Sequence, residues 1–224
     1  MAIGVVQIGL KRFYDSAKSN HQKLLNTLNS RYAINVYDYY RDADSPNCPF
    51  DLSGKIQVWD FLTARDKINE DIIIKLRSDV YFTQSSIEVI CNEIDNVQRN
   101  ECDVVYLGID FMNDYNKVHK REDARSVAKT TDFVVIARRS CLLDTDTVTE
   151  SLKAVKDKSG NKTFYAILTP EARAVKVSCQ MYLFRKEYEQ LESWQIYWDW
   201  CSEYKKSQEA QTWVYNNKDT INAF

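Results

Sequence analysis

The sequence predicts an α/β fold: a central, mostly parallel mixed sheet with helices on both faces. Three observations carry that prediction. Short β-branched apolar runs alternate with stretches whose apolar residues recur at helical spacing. One run, Ile72-Ile73-Ile74, places three isoleucines in a row, as a strand covered on both faces requires. Glycine and proline are scarce, 5 and 3 residues in 224, so long elements joined by few sharp turns are expected. With 44% hydrophobic residues the chain can fill one full-sized core. A single domain is expected over residues 1–211, with 212–224 as a tail or a linker into further domains.

The elements follow in order. The first strand is expected over Ile3–Ile8 and the first helix over Ser16–Asn29, where Leu24, Leu25 and Leu28 share a face. A second strand, Ile34–Tyr39, leads to a helix over Gly54–Asn69 marked by Ile56, Trp59, Phe61 and Leu62. The third strand is Asp71–Arg77, and a helix over Ser85–Val97 carries Ile87, Ile90, Cys91 and Ile94 on one stripe. Asp103–Ile109, Asp132–Ala137 and Val175–Phe184 read as further strands. Thr147-x-x-Glu150 has the capping-box spacing of a helix start.

Several function classes are excluded or disfavoured. Thirty basic against 32 acidic residues give a net charge of −2, which does not suit a protein that grips nucleic acid by bulk charge. No apolar run approaches the length of a membrane span, and the first residues lack the basic flank and cleavage site of a signal peptide. The 6 cysteines form no Cys-x-x-Cys pair, so reduced thiols in the cytoplasm are expected. The glycosylation pattern Asn161-Lys162-Thr163 would then go unused. Only 2 histidines exist, which disfavours a histidine triad or a multi-histidine metal site; His21 is expected on the helix surface or in its first turn. Gly-x-Gly-x-x-Gly, the P-loop and the Gly-x-Ser-x-Gly elbow are all missing from the sequence.

In such a sheet the ligand crevice lies beyond the carboxyl ends of the strands. Chemistry is therefore sought at Gly9–Arg12, Tyr40–Asp42, Arg77–Asp79 and Asp110–Asp114. With so little histidine, a metal site would have to use carboxylates, which suit Mg²⁺ or Mn²⁺. Asp42-Ala43-Asp44 and Asp144-Thr145-Asp146 are Asp-x-Asp pairs, but aspartate is frequent enough here for such pairs to arise by chance. The first reads as a turn and the second as a helix cap. Asp79 is better placed, directly after Ile72–Arg77 at the end of a central strand. A carboxylate there needs a partner, either Arg77 in a structural pair or a cation.

The stretch Asp71–Phe82, with Arg77-Ser78-Asp79 at its turn, resembles the Asp-x-Asp strand end of GT-A-fold, nucleotide-sugar-dependent glycosyltransferases, in an Arg-x-Asp form. Gly9–Phe13 with Ser19–Leu25 is similar to that family's first loop and helix. Gln57 and Thr131–Ala137 also fall in matching order. The resemblance covers roughly residues 1–140, and its narrowest form is to enzymes that build the capsid glycans of chlorella viruses.

The resemblance implies a GT-A-like fold and transfer of a sugar from a UDP-sugar to a glycan or glycoprotein acceptor. Rhamnose or another hexose is the implied sugar, in viral capsid glycosylation, and in the host cytoplasm if the chain is viral. It places the nucleotide over Gly9, Leu10 and Arg12, with Asp38 near the base or ribose, Gln57 beside it, and Arg77 and Ser78 at the diphosphate. It makes Asp79 the ligand of Mn²⁺ or Mg²⁺. Arg77 stands where the family usually has a second aspartate, and no histidine follows His119 to serve as a further ligand. Asp132 and then Asp110 are the candidates for the carboxylate near the reacting carbon or the acceptor hydroxyl. The aromatic stretch Trp194–Tyr204 reads as a helix packed on the sheet, or as a platform on which Trp200 stacks an acceptor sugar. The rival readings are a sugar nucleotidyltransferase, which would want a glycine-rich phosphate loop after the first strand, and a non-catalytic glycan-binding module on the same fold.

Overall fold

The computed structural model of the chain describes residues 2–41, 53–108, 120–123, 133–154, 167–179 and 181–183. Its centre is a 7-stranded sheet in the order β2-β1-β3-β7-β5-β8-β6. The strands are β1 (Ile3–Leu10), β2 (Ile34–Arg41), β3 (Ile72–Arg77), β5 (Val104–Gly108), β6 (Lys120–Asp123), β7 (Val134–Arg138) and β8 (Ala174–Ser178). β4 (Val80–Phe82) and β9 (Met181–Leu183) form a separate antiparallel pair. β2, β1, β3, β5 and β8 point one way, while β7 and β6 run against their neighbours. The sheet is therefore mixed and mostly parallel, as expected.

Among the described residues four α-helices cover it: α1 (Lys11–Arg31), α2 (Ser53–Arg65), α3 (Gln84–Gln98) and α4 (Thr145–Ala154). Two apolar layers sit on opposite faces. Leu24, Leu25 and Leu28 of α1 and Ile87, Ile90 and Ile94 of α3 pack with Ile72, Ile74 and Leu76. Val58, Phe61 and Leu62 of α2 and Val148 and Leu152 of α4 pack with Ile73. The isoleucine triplet thus serves both layers, because successive strand residues point to opposite faces. All three are 0% exposed, and each such burial contributes about 1.5–3 kcal/mol.

Several boundaries differ from expectation, each for a local reason. The run Val175–Phe184 is not one strand. Its first half pairs parallel with β5, and from Met181 the chain pairs with β4. β6 escaped notice because Lys120-Arg121-Glu122-Asp123 carries no apolar period; it lies at the sheet edge, where charge is tolerated. β4 is too short to read. α4 starts at Thr145, not at a Thr147 capping box: the Asp144 carboxylate accepts from the Thr147 N–H at 2.8 Å and from its hydroxyl at 2.6 Å. Asp144 is thus the helix cap that was expected of it. The boundary at 211/212, the aromatic stretch, the glycosylation pattern and Asp42–Asp44 all lie outside the described residues.

Candidate functional site

The carboxyl ends of β2, β1 and β3 lie side by side, in register. Gln7 is level with Asp38 and Leu76, Ile8 with Arg77, and Gly9 with Tyr40. No loop separates β1 from α1: the strand ends at Leu10 and the helix begins at Lys11. The expected phosphate-facing loop over Gly9–Arg12 is therefore a strand end and a first helical turn. Glycine makes the abrupt change possible. Gly9 has φ +129°, which side-chain-bearing residues rarely adopt, and a Cβ there would sit 2.2 Å from Ser78 Oγ. The two strand ends are further tied by the Ser78 N–H donating to the Ile8 carbonyl at 2.8 Å. Gly9→Ala is expected to cost about 2 kcal/mol of stability through backbone strain and this contact. Urea unfolding should show a lower midpoint with an unchanged slope; an unchanged midpoint would mean that the Gly9–Ser78 approach is slack.

At the end of β3, Arg77 and Asp79 form a two-pronged pair. Arg77 Nε donates to Asp79 Oδ1 at 2.9 Å and Nη2 to Oδ2 at 2.7 Å. The side chains are 16% and 13% exposed, so the pair sits at a mouth rather than in the core. The Arg77 guanidinium also lies over the Phe133 ring, 5.2 Å from its centre, and the Arg77 N–H donates to the Phe133 carbonyl at 3.3 Å. Ring and carboxylate together fix the plane of the cation. Lys75, two residues earlier on the same face of β3, is completely buried and has partners of its own. The sequence marks it as the one charge inside Ile72–Leu76.

Asp38 is exposed on β2, and Gln7 Nε2 donates to its Oδ1 at 2.8 Å. Behind Gln7 stands His21, whose Nδ1 is 3.0 Å from Gln7 Oε1 and whose Nε2 is 2.9 Å from the Val80 carbonyl. His21 is 0% exposed, which corrects the surface position expected for it. The helix begins earlier than the leucines alone suggest, and Ala17, His21, Leu24, Leu25 and Leu28 share its inner face. The 17-21-24-28 spacing was the signal available in the sequence. Burial pushes the imidazole pKa down to about 4, against the upward pull of the Val80 carbonyl, Asp79 and Asp38. Next to it, Asn20 clamps β4: its Nδ2 donates to the Phe82 carbonyl at 2.9 Å and its Oδ1 accepts from the Phe82 N–H at 2.7 Å. Asn20 and His21 of α1 thus hold the segment that follows Asp79.

The structure brings Gly9, Ser78, Arg77 and Asp79 together, and links Asp38 through Gln7 to His21. Gln57 lies in the first half of α2 with a buried Oε1 that has no hydrogen-bond partner among the described residues. Leu10 and Arg12 are placed by backbone alone, at the end of β1 and in the first turn of α1. Asp110 and Asp132 lie outside the described residues. As arranged, the described side chains do not fit a divalent cation. Both Asp79 oxygens are occupied by Arg77, and no three histidine, cysteine, aspartate or glutamate side chains converge among the described residues.

No family model and no curated protein matches the sequence. Among solved structures, the chain is similar to a glycosyltransferase involved in the glycosylation of the major capsid of PBCV-1. The TM-score is 0.50 at 12% identity, over 79% of this chain and 82% of that one. S. aureus TarS 1-349 in complex with UDP-GlcNAc gives 0.43 at 8% identity, over 80% of this chain and 57% of that one. The bifunctional IspDF from Campylobacter jejuni gives 0.41 at 8%, over 80% and 50%. The first of these likenesses is one of fold: the sheet and its helices are GT-A-like, as the Arg77–Asp79 strand end implied. Among the described residues no helix is long and apolar enough to cross a membrane.

Proposed function

We propose that the chain is a glycosyltransferase that moves a sugar from a UDP-sugar to a glycan or glycoprotein acceptor. The observation that carries this reading is the Arg77–Asp79 pair at the carboxyl end of β3, next to Ser78 and its close approach to Gly9, in a GT-A-like sheet. The uridine donor, a hexose such as rhamnose and a capsid glycoprotein acceptor rest on the sequence resemblance. Work in the cytoplasm rests on the cysteine pattern, and the reading of residues 1–211 as one catalytic domain on composition, since the resemblance covers roughly residues 1–140.

The chemistry asks for positive charge on the departing nucleoside diphosphate. Arg77 supplies it. Asp79 and Phe133 hold its guanidinium flat, in an orientation from which it stabilises the diphosphate. Asp79 acts on Arg77 and thus positions it. Asp38, steadied by Gln7, accepts from a ribose hydroxyl or the base. Gly9 keeps side-chain bulk out of the space beside Ser78, and the first turn of α1, with Arg12, offers backbone N–H groups at the same end of the sheet. Asp132, or else Asp110, takes the acceptor proton or stabilises the reacting carbon. A divalent cation fits Asp79 only if Arg77 turns away, and no step here depends on one.

Calorimetry on the full chain tests the reading. UDP should bind saturably without added Mn²⁺, and a UDP-sugar should compete for the same site. Failure of UDP to bind with or without Mn²⁺ would leave the glycan-binding module as the better description. Release of pyrophosphate from UTP and a sugar phosphate would show a nucleotidyltransferase instead.

A further inference from the structure

A cavity lies at the opposite pole of the sheet from the strand-end site, where β3 begins and β7 ends; Ile72 is paired with Arg138 there. Five strand steps of about 3.3 Å separate this level from Arg77, roughly 17 Å. The cavity measures about 490 Å³ and is lined by Arg65, Asp71, Arg138, Arg139 and Ser140. Three guanidinium groups therefore share one space with a single carboxylate on its wall. Two nearby aspartates are shared between these arginines and other partners. Asp103 meets Arg173 through both oxygens at 2.9 Å, and Asp66 accepts from the Thr145 hydroxyl.

The arginines are not fully satisfied. Arg65 is 6% exposed, and its Nη2 makes only a long bond of 3.3 Å to Thr145 Oγ1. Its Nε has no hydrogen-bond acceptor among the described residues: Asp66 Oδ1 is 2.9 Å away but off the direction of the N–H. Arg138 caps the end of α3 through Nη2, on the carbonyls of Val97 and Gln98, while its Nε is likewise without an acceptor and Asp103 Oδ1 stays 3.8 Å away. Arg139 Nη1 donates to the Ile68 carbonyl. Buried charged donors left without acceptors are costly, and few persist in native proteins without a reason.

We propose that this cavity is a second ligand site, separate from the strand-end site, and that it takes a small phosphorylated molecule. A phosphoryl group has three terminal oxygens. It can bridge the guanidinium groups that line the cavity and the Ser140 hydroxyl together, whereas a carboxylate has only two oxygens. The volume is an order of magnitude above the ~30 Å³ of one water, so there is room for the body that carries the phosphate.

Titration calorimetry of the full chain with glucose 1-phosphate, and separately with inorganic phosphate, tests the site. Saturable binding is expected that persists in Arg77→Ala, falls tenfold or more in Arg65→Met, and falls several-fold in the half-buried Arg139→Gln. Tighter binding of the ester assigns the site to a phosphorylated metabolite, and equal binding assigns it to free phosphate; either supports a phosphoryl site. Absence of saturable binding of both at millimolar concentration overturns the proposal. So does binding that is lost in Arg77→Ala and kept in Arg139→Gln.

Discussion

If the proposed activity holds, Arg77→Ala is expected to lower kcat/KM for sugar transfer by about 10²–10³, the usual cost of removing one preorganised charge-stabilising donor. The effect should fall on kcat as well as on nucleotide affinity, because the diphosphate gains charge as the sugar departs. The substitution also strands Asp79, which is 9% exposed and has both oxygens on this guanidinium. A carboxylate left without its counter-charge destabilises the fold, by roughly 2 kcal/mol at this partly open position. The double variant Arg77→Ala/Asp79→Ala separates the two effects: stability returns toward wild type while activity stays low. Urea unfolding and a transfer assay read them independently. Chelation with EDTA decides who carries the charge. Wild-type turnover that survives EDTA leaves it with Arg77. Turnover that collapses on chelation and returns with Mn²⁺ would mean that Asp79 abandons Arg77 for a cation, and would reverse the roles given to the two residues.

Much of this arrangement was legible in the sequence, because it follows from periodicity and from strand ends. Ile72-Ile73-Ile74 announced a doubly covered strand, and it is one. Asp79 was singled out by its place after that strand, and the alternative partner considered for it, Arg77, is the one it has. What was hidden depends on tertiary approach. Nothing local to Gly9 says that Ser78 will come within reach of its missing Cβ. β6 is hidden because a charged edge strand has no apolar signature, and β9 because Val175–Phe184 holds no glycine or proline to show where the chain changes sheets. His21 reads as a surface position because it stands in the polar run Lys18–Lys23, ahead of the leucines. Its burial depends on Gln7 and the Val80 carbonyl arriving from two strands far away in the chain.

Those same partners make His21 the source of an acid sensitivity. A neutral imidazole carries one N–H, yet His21 faces two acceptors, Val80 O and Gln7 Oε1. Turning the Gln7 amide over would offer His21 a donor but set its oxygen against Asp38. A proton on His21 would complete the chain, and Asp38 and Asp79 favour it. Desolvation opposes it and wins, so the folded-state pKa is about 4 against 6.5 for the free side chain. Between these values the unfolded chain binds more protons than the folded one, so stability falls as pH falls. The stabilisation is complete above pH 6.5 and lost on descent through pH 4, about 3 kcal/mol in all. For a chain of this size that corresponds to roughly 6–12 °C in Tm. His21→Gln keeps hydrogen-bonding capacity and removes the titration, so its Tm should fall less than that of wild type between pH 7 and pH 4. Superimposable Tm–pH curves for the two proteins would show that His21 takes up its proton without leaving its place. The Gln7–His21 chain would then be an ion-pair relay to Asp38 rather than a neutral brace.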